Sequence, residues 1–157
     1  AREFARLKPS LVVSPALGGV IIGHEVAKYL GVPFLFCERE QGKMKLRRFS
    51  NPGPARYVIV EDVVTSGKSV LEVKNVMDSL EGTRFLSAGC IADRGGGLYI
   101  EEKRLFSLVR FDFENYNRED CPLCKRGIPL SEPGSRRLFT EIKEKGDHPD
   151  RRTFPGN

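Results

Sequence analysis

The sequence predicts an α/β fold with a mainly parallel sheet flanked by helices. Two observations carry this prediction. Short apolar, β-branched runs alternate with segments of helical periodicity along most of the 157-residue chain. Alternation of strand and helix builds βαβ units, whose strands pair in parallel. The length is also sufficient for one domain with a substantial buried core.

Hydrophobic spacing and turn residues give the elements in order. The predicted strands cover residues 10–14, 33–37, 45–49, 57–60, 85–91 and 105–111, and the predicted helices cover 18–30 and 68–80. The run Val58-Ile59-Val60 is typical of a strand that is buried on both faces. Gly31 and Gly82 end the two helices. The segment 93–97, Asp-Arg-Gly-Gly-Gly, is expected to be a flexible loop.

Composition divides the chain into two parts. Residues 1–130 hold the predicted elements and are expected to form the core domain. Residues 131–157 are rich in Pro, Gly and charged side chains and are expected to form a tail.

The positive charge is concentrated in one stretch. The net charge is +5, and residues 39–56 hold six basic side chains against Glu40 alone, so this stretch carries the whole excess. A nucleic-acid-binding domain is usually basic over a wider surface. The stretch indicates either a local site for a small polyanion or a solvated basic loop.

The sequence indicates a cytoplasmic protein with no membrane or nucleic-acid partner. No apolar run approaches the length of a membrane span, and the first residues lack the pattern of a signal peptide. The four cysteines, two of them in apolar strand-like runs, are typical of reduced thiols rather than of a disulfide framework.

The clearest chemical signal follows the strand at 57–60. Two acids, Glu61 and Asp62, precede a loop of hydroxyl residues and glycine, Thr65-Ser66-Gly67, and a helix then begins. A helix start after a parallel strand is an anion site, and hydroxyls add donors. A P-loop is excluded because position 62 would have to be glycine. The alternative is a helix capped by Thr65 or Ser66 with two exposed acids.

This segment resembles the phosphoribosyl-pyrophosphate motif of the type I phosphoribosyltransferases, and the chain looks more narrowly like the bacterial orotate phosphoribosyltransferases. Four further stretches share the resemblance: Ser14–Gly19 with the pyrophosphate loop, Glu38–Met44 with the mobile catalytic loop, Ala92-Asp93-Arg94 with the orotate-binding segment, and 121–130 with the C-terminal end of one subgroup. The resemblance covers about residues 7–130.

The resemblance implies a role for each segment. Glu61 and Asp62 would bind the ribose hydroxyls, the loop would hold the 5-phosphate, and Arg94 would bind the orotate carboxylate. Mg²⁺ would bridge sugar and pyrophosphate, held mainly by the substrate in the neighbourhood of Glu61 and Asp62, and no residue is directly assigned as its ligand. The substrate-binding residues implied are Leu17, Gly18, Glu61, Asp62, Val63, Val64, Thr65, Ser66, Gly67, Lys68, Ser69 and Arg94.

The implied reaction is displacement at the ribose anomeric carbon, with orotate as acceptor and orotidine monophosphate and pyrophosphate as products. Arg39 and Lys43 would neutralise the leaving pyrophosphate and, with Asp62, form the catalytic set. The resemblance also implies a homodimer. Two alternatives stay open: a phosphoribosyltransferase for a purine or another base, and a non-catalytic module that binds phosphoribosyl pyrophosphate.

The sequence departs from the family pattern before the first core strand. Family members usually carry a longer segment before the first core strand, a hood over the base, so we expect a truncated chain or a form without the hood.

Cys121-x-x-Cys124 could supply two of the four ligands of a structural zinc site. We expect plain structural thiols there, and redox activity is disfavoured because the pair follows the last strand instead of opening a helix.

Overall fold

The computed structural model describes residues 1–95, 97–112, 114, 116–117 and 119–128. The chain consists of two units, Ala1–Phe113 and Glu114–Asn157. The predicted tail at 131–157, together with its boundary after residue 130, lies outside the described residues.

The first unit contains three helices and eight strands within the described residues. In chain order they are α1 (Arg2–Ala5), β1 (Leu11–Pro15), α2 (Gly18–Leu30), β2 (Phe34–Glu40), β3 (Lys43–Lys45), β4 (Ala55–Val64), α3 (Lys68–Asp78), β5 (Thr83–Asp93), β6 (Tyr99–Ile100), β7 (Lys103–Arg104) and β8 (Phe106–Arg110). The second unit contributes α4 (Pro122–Lys125). None of the helices in these described segments has the length and apolar character that a membrane span requires.

Six strands form one sheet in the order β3-β2-β1-β4-β5-β8. Strand β3 pairs with β2 in antiparallel orientation, and the other four neighbouring pairs are parallel. Strands β6 and β7 form a separate antiparallel hairpin. The predicted fold, a mainly parallel sheet flanked by helices, is confirmed.

The sheet carries an apolar layer on each face because successive side chains of a strand point to opposite sides. Tyr57 and Ile59 of β4 face a core cluster that includes Val70, Val73 and Met77 of α3. Val58 and Val60 face a second cluster that includes Phe4 of α1 and Val26 and Ala27 of α2. This double burial explains the continuous apolar run at 57–60.

Two sequence predictions about the elements are wrong in detail, and three short elements were not predicted. Strand β4 continues through the acid pair to Val64, so the acids lie inside the strand. The extended segment after β2 is Lys43–Lys45 rather than 45–49, because Gln41 and Gly42, with φ of 51° and 79°, form a tight hairpin turn. The short elements α1, β6 and β7 are too brief to show periodicity.

Candidate active site

The acid pair lies at the carboxyl end of β4. Glu61 is 8% exposed, and its Oε1 accepts a hydrogen bond from the backbone N–H of Asp62 at 3.2 Å. Burial, followed by the hydrogen bond to the Asp62 side chain, raises the pKa of Glu61 to about 8. Asp62 is less buried, and its Oδ1 accepts the N–H of Val63 at 2.7 Å. The pair therefore presents one carboxyl that binds a proton tightly and one that is accessible.

The hydroxyl loop, residues 65–67, forms a concave surface together with the first residues of α3. Glu61 and Val63–Val70, the loop included, line one cavity. Gly67 occupies the N-cap position of α3 with φ 73°, and among the described side chains none donates or accepts a capping hydrogen bond there. The alternative in which Thr65 or Ser66 caps the helix is therefore wrong. The first N–H groups of this eleven-residue helix remain available to an anion.

The start of α2 lies against the acid pair. A Cβ at position 18 would lie 2.5 Å from Oδ2 of Asp62, and one at position 19 would lie 3.0 Å from Oε1 of Glu61. Only glycine permits this approach. The Ala16–Leu17 peptide just before the helix is cis, and Leu17 is exposed. The structure thus brings the predicted pyrophosphate segment, Leu17 and Gly18, to Glu61 and Asp62.

Arg94 is also adjacent to the hydroxyl loop. Its backbone N–H donates to the carbonyl oxygen of Val64 at 2.7 Å. A Cβ at Gly95 would lie 2.1 Å from the carbonyl oxygen of Thr65, so the two loops are in direct contact. The residues predicted to hold phosphate and base therefore share one edge of the sheet.

Arg39 and Lys43 lie in a different place. Arg39 forms an ion pair with Glu72 on α3. Lys43 lines a cleft with Met44, Asn75 and Ser79, and this cleft shares no lining residue with the cavity at the hydroxyl loop. The structure does not bring these two cations to the acid pair.

Other cations of the basic stretch are largely neutralised. Arg48 donates from Nε to Glu38 at 2.9 Å, and Lys45 donates to Glu40 at 2.6 Å. The Lys45 hydrogen bond lowers the pKa of Glu40. The charge count over residues 39–56 overstated the positive charge of this part of the surface. Two of the acids that pair with its cations lie outside those residues: Glu38 is one position before them, and Glu72 is on α3.

Sequence reasoning missed the buried carboxylate of Asp93, which it treated as part of a flexible loop. Asp93 is fully buried and accepts hydrogen bonds from the N–H groups of Gly95 and Gly97, at 2.8 and 3.0 Å, and from Nε of Arg110 at 3.1 Å. An aspartate followed by glycines two and four positions later is a signal for such a turn.

The four cysteines, all within the described residues, carry thiols rather than disulfides. Burial raises the pKa of Cys37 to about 12 and that of Cys90 to about 11. Cys121 is the N-cap residue of α4, and hydrogen bonds from Cys124 and Leu123 lower its pKa. The pair thus opens a short helix, contrary to the expectation. Among the described residues no cluster of three or more His, Cys, Asp or Glu surrounds it. The expectation of plain structural thiols, with a zinc site as the alternative, stays a prediction.

Comparison with known proteins identifies the family. No family model matches the chain. A protein of Thermoanaerobacter sp. (strain X514) named orotate phosphoribosyltransferase is 46% identical over 139 residues, which cover 88% of this chain and 73% of that protein. A protein of the same name from Thermotoga maritima is 49% identical over 129 residues, covering 81% and 68%.

Solved structures agree with the sequence relatives. The crystal structure of orotate phosphoribosyltransferase from Aeropyrum pernix matches with a TM-score of 0.55 and 26% identity, over 70% of this chain and 64% of that chain. Purine phosphoribosyltransferase from Pyrococcus horikoshii Ot3 matches with a TM-score of 0.58 and 19% identity, over 74% and 84%, and so shares the fold. The chain belongs to the orotate phosphoribosyltransferase family.

Proposed function

We propose that the chain is a pentosyltransferase that moves the phosphoribosyl group of phosphoribosyl pyrophosphate to orotate, giving orotidine 5'-monophosphate and pyrophosphate. The observation that carries the proposal is the meeting of three segments at one edge of the sheet: the start of α2 lies against the acid pair, and the loop at Arg94 contacts Val64 and the hydroxyl loop. The names of the relatives point to orotate as the base.

The hydroxyl loop would bind the 5-phosphate. Its hydroxyl groups, the uncapped N–H groups of α3 and the ammonium group of Lys68 supply donors and positive potential at one point. Gly67 keeps the backbone free of a side chain where the anion would approach. Backbone groups at Leu17 and Gly18 would meet the pyrophosphate next to Asp62.

Glu61 and Asp62 would accept hydrogen bonds from the ribose hydroxyls. Once Glu61 releases its proton, two adjacent carboxylates beside a phosphate site also fit Mg²⁺, which prefers a few carboxylate oxygens together with substrate phosphates and water. Bound there, Mg²⁺ would offset the charge of the pyrophosphate. The two carboxylates themselves orient the ribose so that its anomeric carbon faces the incoming base.

The reaction would be a direct displacement. The bond between the anomeric carbon and the pyrophosphate oxygen breaks as a ring nitrogen of orotate bonds to the same carbon, and the proton of that nitrogen passes to the departing pyrophosphate. Arg94 would hold the orotate carboxylate through its guanidinium fork. Arg39 and Lys43 would stabilise the departing pyrophosphate. Since Arg39 is bound to Glu72 in the structure, this role requires the β2–β3 hairpin to move or to serve a neighbouring protomer.

We extend the proposal to a homodimer in the cytoplasm. The hairpin position motivates the dimer, because a second copy could supply Arg39 and Lys43 to this site. Analytical ultracentrifugation of the full chain tests this part of the proposal independently of activity.

Pyrophosphate release in the presence of Mg²⁺ and different bases tests the function. We expect release with orotate and none with adenine or hypoxanthine. Asp62→Asn should reduce the rate at least about a hundredfold, because the ribose loses a charged acceptor near the reacting carbon. Exposed Glu81, changed to Gln, is the matched control. Release with a purine base but not with orotate would contradict the proposal.

A further inference from the structure

Asp93 and Arg110 form a buried support beneath the loop that carries Arg94. Asp93 is the last residue of β5 and Arg110 the last residue of β8, and the two are register partners across the sheet. Nε of Arg110 donates to Oδ2 of Asp93 at 3.1 Å. The Asp93 side chain is 0% exposed, so the carboxylate depends on protein donors alone for its solvation.

The same carboxylate fixes the backbone of the loop. Oδ1 accepts the N–H of Gly95 at 2.8 Å, and Oδ2 accepts the N–H of Gly97 at 3.0 Å. A Cβ at Gly97, where φ is 95°, would lie 3.1 Å from the guanidinium of Arg110. Arg110 therefore neutralises the carboxylate and also packs directly against the loop backbone.

A second set of contacts holds the other side of this loop. The N–H of Arg94 donates to Val64, and Gly95 lies against the carbonyl oxygen of Thr65. Leu98, at the end of the loop, lies 3.4 Å from the Cβ position of Gly67. The backbone that bears Arg94 is therefore held between the hydroxyl loop and the Asp93–Arg110 pair.

We infer that Asp93 and Arg110 are positioning residues for base binding: they set the backbone from which Arg94 reaches the carboxylate of the base. This inference rests on the proposed function. The hydroxyl loop is supported separately by β4 and α3, so loss of the pair should affect the base more than the phosphoribosyl substrate. A misplacement of about 1 Å can cost on the order of a hundredfold in rate.

Arg110→Gln is the first test because the Arg110 side chain is 36% exposed, which makes its replacement tolerable. Asp93→Asn is the second variant, and exposed Arg104→Gln on β7 is the matched control. We expect the KM for orotate to rise about tenfold or more in both variants, because each loses a charge-assisted hydrogen bond, while the KM for phosphoribosyl pyrophosphate changes less than about threefold. The double variant should be no worse than the poorer single variant, because both changes break one unit.

Hydrogen exchange supplies a readout that does not depend on turnover. The amides of Gly95 and Gly97 should exchange faster in both variants and remain protected in the Arg104 control. An orotate KM within twofold of wild type in folded Arg110→Gln, or equal rises in both KM values, overturns the inference. If the wild-type chain makes no orotidine monophosphate, the proposed function fails and this inference fails with it; an active wild type with unaffected variants defeats the inference alone.

Discussion

Glu61 has one property that could not be predicted from the sequence, which is its burial. The adjacent acids and the hydroxyl loop were predictable from residue types alone. The burial of Glu61 was not, because the apolar run stops at Val60 whereas β4 continues to Val64. Glu61 pairs in register with Cys90 of β5 and is therefore part of the sheet. Its burial there raises its pKa.

The raised pKa of Glu61 predicts that the free energy of unfolding depends on pH. Glu61 binds a proton more tightly in the folded chain, at a pKa of about 8, than at the ordinary value of 4.5. Its contribution to stability is therefore complete below about pH 4.5 and is lost as the pH rises through about 8. At about 1.4 kcal/mol per pKa unit, the free energy of unfolding should fall by on the order of 5 kcal/mol across that window.

Glu61→Gln should remove this dependence. Urea unfolding of wild type and variant at pH values from about 4 to about 9 measures the difference, and we expect the variant to be the more stable one at the alkaline end. Exposed Glu81→Gln is the control. Parallel pH profiles for wild type and Glu61→Gln would contradict the assignment of this carboxyl as buried and proton-binding.

At the scale of elements, α2 packs closely on the sheet through glycine. A Cβ at Gly23 would lie 2.0 Å from Oγ of Ser14 and 2.6 Å from the ring of Phe34. Ser14 is fully buried, and its Oγ lacks a hydrogen-bond partner in the described part of the chain. The sequence predicted α2 with its observed bounds, but its periodicity could not show which glycine contacts the sheet.

We expect Gly23→Ala to lower the free energy of unfolding by about 2 kcal/mol, because the added methyl group overfills this contact. Ser14→Ala should be nearly neutral, since it removes a buried hydroxyl that has no partner. Combined with Gly23→Ala, it should restore part of the lost stability. Urea unfolding of the wild type, the two single variants and the double variant measures the coupling between positions 14 and 23. Strictly additive changes in the free energy of unfolding would contradict a direct contact between these two residues.

The β2–β3 hairpin is the second element whose position matters. The sequence analysis missed its tight turn because Gln-Gly is a weaker turn signal than Asn-Gly. Its ion pair with α3 could not be predicted either, because Arg39 and Glu72 are far apart in the sequence. In the structure Glu72 competes with any anion for Arg39.

Glu72→Gln should therefore strengthen pyrophosphate binding, by up to about fivefold, which is the range of a partly exposed ion pair. Isothermal titration calorimetry with Mg²⁺ and pyrophosphate measures the dissociation constant. Glu40→Gln, which removes the partner of Lys45 on the same hairpin, is the control and should leave it unchanged. Weaker binding by Glu72→Gln would show that the ion pair supports the site rather than competing with the anion.

For the whole molecule, the site follows from topology. Strands β1, β4 and β5 are parallel neighbours, so the segments after their carboxyl ends meet at one edge, although Leu17 and Arg94 are far apart in sequence. This meeting was predictable from the alternation of elements and from the motifs. The positions of Arg39 and Lys43 were not, because they depend on the hairpin turn at Gln41-Gly42 and on the ion pair of Arg39 with Glu72, which lies far away in the sequence.

The most direct test of the account is the identity and ratio of the products. The full chain is incubated with phosphoribosyl pyrophosphate, orotate and Mg²⁺, and nucleotide and pyrophosphate are quantified by chromatography. We predict equal amounts of orotidine 5'-monophosphate and pyrophosphate, with both nearly absent for Asp62→Asn. Bound but intact phosphoribosyl pyrophosphate, or pyrophosphate without the nucleotide, would contradict transfer to orotate at this site.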